Sequence, residues 1–317
     1  MAGVLSLNPP YYEALKRLTL ELAGVNLGSD HAFLVETRLS ALARKEGFES
    51  LDSLVNELFG SGDTRLAVQV VSTLLERDSH FNKDPESFAQ FSKTILPELY
   101  SVRGGGQVRL LSFGCAAGQE AYGMAMAYER LKDQLPGLSV EIIGVDYPSS
   151  ALDRAKAGRY THFEVQRGLA ARDLIEYFEP APEPGSSDWI ISHPLKDLVT
   201  FRDVHLLSSL GSLPKFHGVL FRGALPHYSG PAKLRVLRGL SSLVLPYGYL
   251  LLGSNESLKQ INFGFDPVDK SKGLYRKRKD VSEDLAPLEE ILPLEETPKV
   301  KSNGRTTFTK TKRQHNA

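Results

Sequence analysis

Apolar positions over residues 9–100 recur at intervals of three and four, the spacing of one helical face. Leu15, Leu18 and Leu22 form one series, and Leu34, Leu39 and Leu42 approximate a second. Asp52 is placed to cap a helix through Leu54, Val55 and Leu58, which Gly60 then stops. Another helix is expected from Leu66 to Leu75. Asp84-Pro85 restarts the chain, with Pro85 at a first helical position and Glu86 in the first turn. Nothing here reads as a strand. The pattern predicts a small helical domain and a linker helix.

The texture changes at Gly104-Gly105-Gly106. An apolar run, Val108 to Phe113, leads through Gly114 and Gly118 into a helix from Glu120 to about Leu131. A second run, Val140 to Val145, ends at Asp146, and a helix follows from Ser149-Ser150 with Leu152 and Ala155. Later runs at Leu198–Phe201, Gly218–Phe221 and Tyr249–Leu252 continue the rhythm, with a helix from about Pro231 to Leu245. Short apolar strands alternating with helices predict an α/β fold with a parallel sheet. Pro180 to Ser187 interrupts it as a loop, and Trp189-Ile190-Ile191 reads as a short hairpin strand in a small insertion.

Composition narrows the classes. The 317 residues suit about two domains. Lys+Arg and Asp+Glu balance at 38 each, which argues against a general nucleic-acid binder. A single cysteine, Cys115, allows no internal disulfide and no multi-cysteine zinc site. No apolar run has the roughly 18 residues of a membrane span, and the N-terminus has no signal-peptide pattern, so a cytoplasmic protein without membrane insertion is expected. After Lys279 the chain turns acidic, then basic, and order is expected to fade there.

The turn after the first strand carries the chemistry. Gly114 and Gly118 let backbone approach a ligand, but the stretch is neither GxGxxG nor a P-loop, and it has no Lys-Ser/Thr pair for phosphates. Asp146 follows Gly118 by 28 residues, one helix plus one strand, and ends a strand where an acid can accept from ribose hydroxyls. This favours an adenosine ligand without polyphosphate, such as S-adenosylmethionine; a tight turn with no ligand is the alternative. Cys115 reads as a buried small residue rather than a nucleophile. The eight histidines show no metal-ligand spacing, and no Gly-x-Ser-x-Gly elbow occurs.

These residues resemble the CheR-type chemotaxis receptor (protein-glutamate) O-methyltransferases. The likeness runs from Phe113-Gly-Cys-Ala-Ala-Gly-Gln-Glu-Ala-Tyr122 with Met124 and Met126, through Gly144-Val-Asp146 and Gly158-Arg159-Tyr160, to Gly248-Tyr249-Leu250 with Glu256-Ser257-Leu258. Asp84-Pro85 with Phe88, and Arg167-Gly168-Leu169 with Tyr177-Phe178, add to it. The resemblance implies a class I S-adenosylmethionine-dependent methyltransferase (Rossmann-like) domain with an inserted β-subdomain, behind an all-α N-terminal domain. The expected division is 1–78 helical, 79–279 methyltransferase with the insertion at about 161–200, and 280–317 a charged tail. It also implies glutamyl ester formation on a methyl-accepting chemoreceptor or related signalling protein, with S-adenosylhomocysteine as product.

By the same resemblance Arg77, Ser79, Lys83, Gly114, Glu120, Asp146, His205, Leu206, Arg222 and Gly223 are the expected cofactor residues, and Lys83 and His227 the catalytic positions. Several depart from the family's pattern. The family has Arg where this chain has Lys83, and Tyr where it has His227, unless a one-residue shift restores Tyr228. Family Asn positions fall on Arg77, His205 and Gly223, and a Thr on Ser79. Lys83 keeps the charge but loses a bidentate fork; Gly223 deletes a polar side chain. A degenerate fold kept as a non-catalytic binding or scaffold module is therefore the alternative function. Arg38, Arg44 and Lys45 stand where the family has a basic helix thought to meet the receptor, and a solvated helix face explains them equally.

Overall fold

The computed structural model describes residues 7–28, 32–75, 79–207, 210–258, 263–268 and 271–279. The expected tail, 280–317, and Arg77 lie outside the described residues.

Four helices come first: α1 (Pro9–Ala23), α2 (Ala32–Lys45), α3 (Leu51–Gly60) and α4 (Thr64–Leu75). Leu15, Val35, Leu39, Leu42, Leu54, Val55, Leu58, Leu66, Val70 and Leu74 form their shared core. Two local expectations change. Leu34 is 40% exposed and Val35 takes the core position, because the apolar stripe follows Ala32, Val35, Leu39 and Leu42. Ser50, not Asp52, caps α3: its hydroxyl accepts from the Ser53 amide and Ser53 bonds back in return. Asp52 lies in the first turn, where its charge meets the helix dipole.

Helix α5 (Pro85–Gln90) runs through a π-turn, Phe91–Ile95, into α6 (Leu96–Arg103). The first strand, β1 (Gly106–Phe113), is followed by α7 (Gln119–Glu129), β2 (Leu138–Asp146) and α8 (Ser150–Ala157). Next come β3 (Arg159–Tyr160), α9 (His162–Gln166), α10 (Ala171–Tyr177), β4 (Phe178–Pro180), β5 (Trp189–Ile191) and α11 (His193–Lys196). The chain then forms β6 (Val199–Asp203), β7 (Phe216–Leu220), α12 (Gly230–Leu243), β8 (Val244–Leu251), β9 (Phe265–Pro267) and β10 (Leu274–Lys277).

The main sheet has the order β6-β2-β1-β7-β8-β10-β9. Its first five strands are parallel, with Leu110 opposite Ile142 on one side and Gly218 on the other. Strand β10 enters antiparallel between β8 and β9. No local pattern marks β9 and β10, because one is three residues ending in proline and the other is four residues of which two are charged. Trp189–Ile191 is the central strand of a second, antiparallel sheet, β3-β5-β4.

Alternation along β1 feeds two cores. Val108 and Leu110 meet α6, α7 and the small sheet. Leu111 and Phe113 meet α12 and also Ala23 of α1 and Val71 of α4. The N-terminal helices therefore share a core with one face of the sheet. Their contact is reinforced by backbone: Ser229 donates to the Gly24 carbonyl at 2.7 Å, Asn26 donates to the His227 carbonyl at 3.1 Å, and Val25 bridges Tyr228. Strand order turns back between β1 and β7, so the crevice at their carboxyl ends is the expected ligand position of such a sheet.

Candidate functional site

The β1–α7 turn passes through left-handed backbone at Gly114, Ala116 and Gly118, with φ of 74°, 48° and 84°. At Gly118 the absent Cβ matters doubly, since one would lie 2.8 Å from Ala155 and 2.9 Å from Phe201. The turn hangs on β2: the amides of Gly114 and Cys115 both donate to the Val145 carbonyl. Asp146, the last residue of β2, fixes it further. One carboxylate oxygen accepts from the Ala116 amide and the other from its neighbour Tyr147, each at 2.7 Å. Each oxygen keeps further acceptor capacity for a ribose hydroxyl.

On the other side of the turn lies a cleft lined by Ser79, Lys83, Gly114, Glu120, Arg222 and Gly223 of the expected residues. Glu120 and Arg222 pair at 2.6 Å through Nε, and the Ser112 hydroxyl donates to the second Glu120 oxygen at 2.8 Å. Arg222, with 6% of its side chain exposed, also donates to the carbonyls of Lys83 and Asp84 and lies over the Phe88 ring. A buried ion pair with this many extra bonds fixes geometry. The Ser79 hydroxyl donates to Gln119 Oε1 at 2.7 Å, and Gln119 is 1% exposed.

Two departures from the family pattern meet here. A Cβ on Gly223 would have the Lys83 Cε and Nζ at 3.8 Å, an ordinary contact distance. The lysine ammonium thus lies against the place a side chain at 223 would occupy. The substitutions at 83 and 223 are neighbours in space, 140 residues apart in sequence.

His205 and Leu206 follow β6. His205 stacks edge-on to Tyr147 at 5.0 Å, and burial lowers its pKa, partly offset by hydrogen bonding to the Leu22 backbone. Leu206 is 1% exposed. His205 thus reaches the neighbour of Asp146, while neither His205 nor Leu206 lines the recess beside Asp146. His227 does not join the cleft lining. It is exposed at the end of a short 3-10 turn, while the next residue, Tyr228, turns inward against Phe221. The bridge between Val25 and Tyr228 fixes that orientation.

Cys115 is 3% exposed, and burial first, then the charges of Asp146 and Glu120, push its thiol pKa well up. It has no thiolate to offer, as expected of a packed small residue.

Sequence reasoning passed over two supports. Glu256 accepts from three amides, Gly223, Leu225 and Gly253, at 2.7–2.9 Å. Asp84, in left-handed backbone at φ 50°, accepts from Ser254 at 2.7 Å and caps α5. Together they tie the loops after β7 and β8 to the start of α5. A carboxylate with a glycine three residues before it, following a strand, was the signal that could have marked Glu256 as structural.

The cleft and the recess beside Asp146 share Ala116 as a common wall.

Comparison with known proteins agrees with this chemistry. The family model described as "CheR methyltransferase, SAM binding domain" matches residues 77–274. The chain is 31% identical over 271 residues to chemotaxis protein methyltransferase 1 of Pseudomonas aeruginosa, covering 84% of this chain and 97% of that one. It is 31% identical over 270 residues to the chemotaxis protein methyltransferase of Vibrio anguillarum, covering 84% and 96%. It is 25% identical over 264 residues to the probable biofilm formation methyltransferase WspC of Pseudomonas aeruginosa, covering 81% and 59%.

Proposed function

The chain belongs to the CheR methyltransferase family, and from that premise we propose that it methylates glutamate side chains of a chemoreceptor or related signalling protein in the cytoplasm. S-adenosylmethionine is the cofactor of this family's domain. Bound there, it would supply an electrophilic sulfonium methyl for a carboxylate oxygen, with the carbon–sulfur electron pair left on sulfur. Among the described residues no helix is long and apolar enough to cross a membrane.

The observation that carries the reading is the placing of the recess at Asp146 and the cleft at Glu120, Arg222 and Lys83 against one turn, with Ala116 lining both. In this reading Asp146 accepts from the ribose, His205 and Leu206 border the adenine, and the Glu120–Arg222 pair with Ser79 holds the amino-acid end. Lys83 keeps the incoming glutamate ionised and oriented, so that its oxygen points at the methyl. Lys83 is a point charge, so it steers the carboxylate with less angular control than an Arg fork. His227 acts, if at all, from the rim. The division into a helical domain to residue 78, a methyltransferase domain to 279 and an insertion at about 161–200 belongs to the same proposal. A fold kept only for binding gains no support from the comparisons, whose relatives are named methyltransferases.

The test is calorimetric titration with S-adenosylmethionine and S-adenosylhomocysteine, followed by transfer of labelled methyl to chemoreceptor-bearing membranes. Binding with base-labile label on receptor glutamates is expected. Binding without transfer to any receptor would overturn the catalytic part, and no binding the whole.

A further inference from the structure

The recess beside Asp146 has a second wall, contributed by the N-terminal helices. Ser72 lies in the last turn of α4, is 5% exposed, and lines this recess with Ala116, Asp146 and Ser149. Its hydroxyl has no hydrogen-bond partner among the described residues. That is unusual for a buried helix hydroxyl, which commonly returns to the carbonyl four residues back. Thr19 of α1, equally buried, does so: it donates to the Leu15 carbonyl at 2.9 Å. A buried hydroxyl left unpaired is costly, and such groups call for a functional explanation.

We infer that Ser72 is a further cofactor-binding residue, which hydrogen-bonds a ribose hydroxyl of the nucleoside held by Asp146. The inference rests on the proposed function. The chemistry of the recess favours a neutral diol. Asp146 can only accept, and its charge repels an anion such as phosphate. A ribose hydroxyl that donates to Asp146 still has lone pairs to accept from Ser72. The Ser149 hydroxyl lines the same recess and caps α8, where it accepts from the Leu152 amide at 3.2 Å and keeps its own proton to donate. Ser72 precedes the segment that the family model matches, which begins at residue 77. Cofactor affinity would then depend on how α4 is seated on the sheet.

Ser72 also borders an outer groove with Arg38 and Lys45. A hydroxyl serving only that groove would leave nucleoside binding unchanged, which makes the two roles separable.

The experiment titrates S-adenosylhomocysteine and its 2′-deoxy and 3′-deoxy analogues into the full chain and its Ser72→Ala variant. Urea unfolding of both ligand-free proteins runs alongside. Ser72→Ala should weaken S-adenosylhomocysteine about three- to tenfold, the worth of one hydrogen bond. One deoxy analogue should bind both proteins equally. Ligand-free stability should not fall, because the hydroxyl removed has no partner among the described residues. Equal affinity of both proteins for S-adenosylhomocysteine overturns the inference, as does the same loss on all three ligands. So does a weakened affinity that comes with lowered ligand-free stability. If the natural chain binds no S-adenosylhomocysteine, the functional reading falls and this inference falls with it; unchanged binding by the variant alone removes only the inference.

Discussion

The two ends of the site are built differently. At the proposed adenosine end, Asp146 is clamped by the amides of Ala116 and Tyr147, and the turn it holds hangs on the Val145 carbonyl. At the methyl end, the groups that would meet substrate are side-chain tips: the Lys83 ammonium over the bare backbone of Gly223. Backbone amides are supplied by every sequence, so the clamp on Asp146 needs only one particular carboxylate. Side-chain tips have no such guarantee, and they can be exchanged in compensating pairs. The departures from the family pattern at 83 and 223 fall at that end. The frame beneath them is still held, because Arg222 donates to the backbone carbonyls of Lys83 and Asp84 whatever the side chain at 83.

The largest blow to this contrast would fall on the frame. Glu256→Ala leaves three amides without their charged acceptor in a buried place. It should cost about 3 kcal/mol or more of stability, read from urea unfolding. A loss under about 1 kcal/mol would mean the loops after β7 and β8 are held by something else.

Asp146→Ala comes next. It removes the acceptor of two amides and the proposed ribose partner, so affinity for S-adenosylhomocysteine should fall about 100-fold, near 2.7 kcal/mol. Calorimetry that shows less than a threefold loss would put the nucleoside elsewhere.

A smaller effect sharpens the methyl end. Asn is among the few residues that accept left-handed backbone, so Gly223→Asn at φ 71° should be tolerated. Lys83→Arg together with Gly223→Asn should raise S-adenosylhomocysteine affinity about three- to tenfold. The cycle should be non-additive by about 0.5 kcal/mol or more, as expected of touching groups. Strict additivity would show that the two positions are independent.

The mildest test lies away from the site. Lys277 is buried, donates to the carbonyls of Ser241 and Phe263, and burial, then Lys215 and Arg278, pushes its pKa down to about 8. Between that value and the ordinary 10.5 the folded state holds fewer protons than the unfolded one, so stability should rise with pH there. Below about 8 the penalty is fully present and flat. Relative to Lys277→Met, the natural chain should gain stability from pH 8 to 10.5; parallel urea midpoints would contradict the lowered pKa.

Much of this was legible in the chain itself. The interval of three and four located the N-terminal helices, and the apolar runs ending in Gly114 and Asp146 located the strands and turn at the ligand crevice. Periodicity and turn chemistry are local, so one sequence suffices to show them. Caps were less legible: Asp52 and Ser50 are both good capping residues, and only the folded backbone chooses between them. Strands β9 and β10 were hidden because their pairing with β8 comes from distant chain rather than from their own pattern.

What the sequence determined by itself is the fold class, the family likeness and the identity of the chemically able residues. Only tertiary structure decided which of them meet. It brought Lys83 onto Gly223, turned Tyr228 inward and left His227 at the rim, and set Ser72 of α4 beside Asp146 of β2. The reason is physical. A strand or helix repeats at short range, whereas a site is assembled at the ends of elements whose relative positions are fixed by two shared cores.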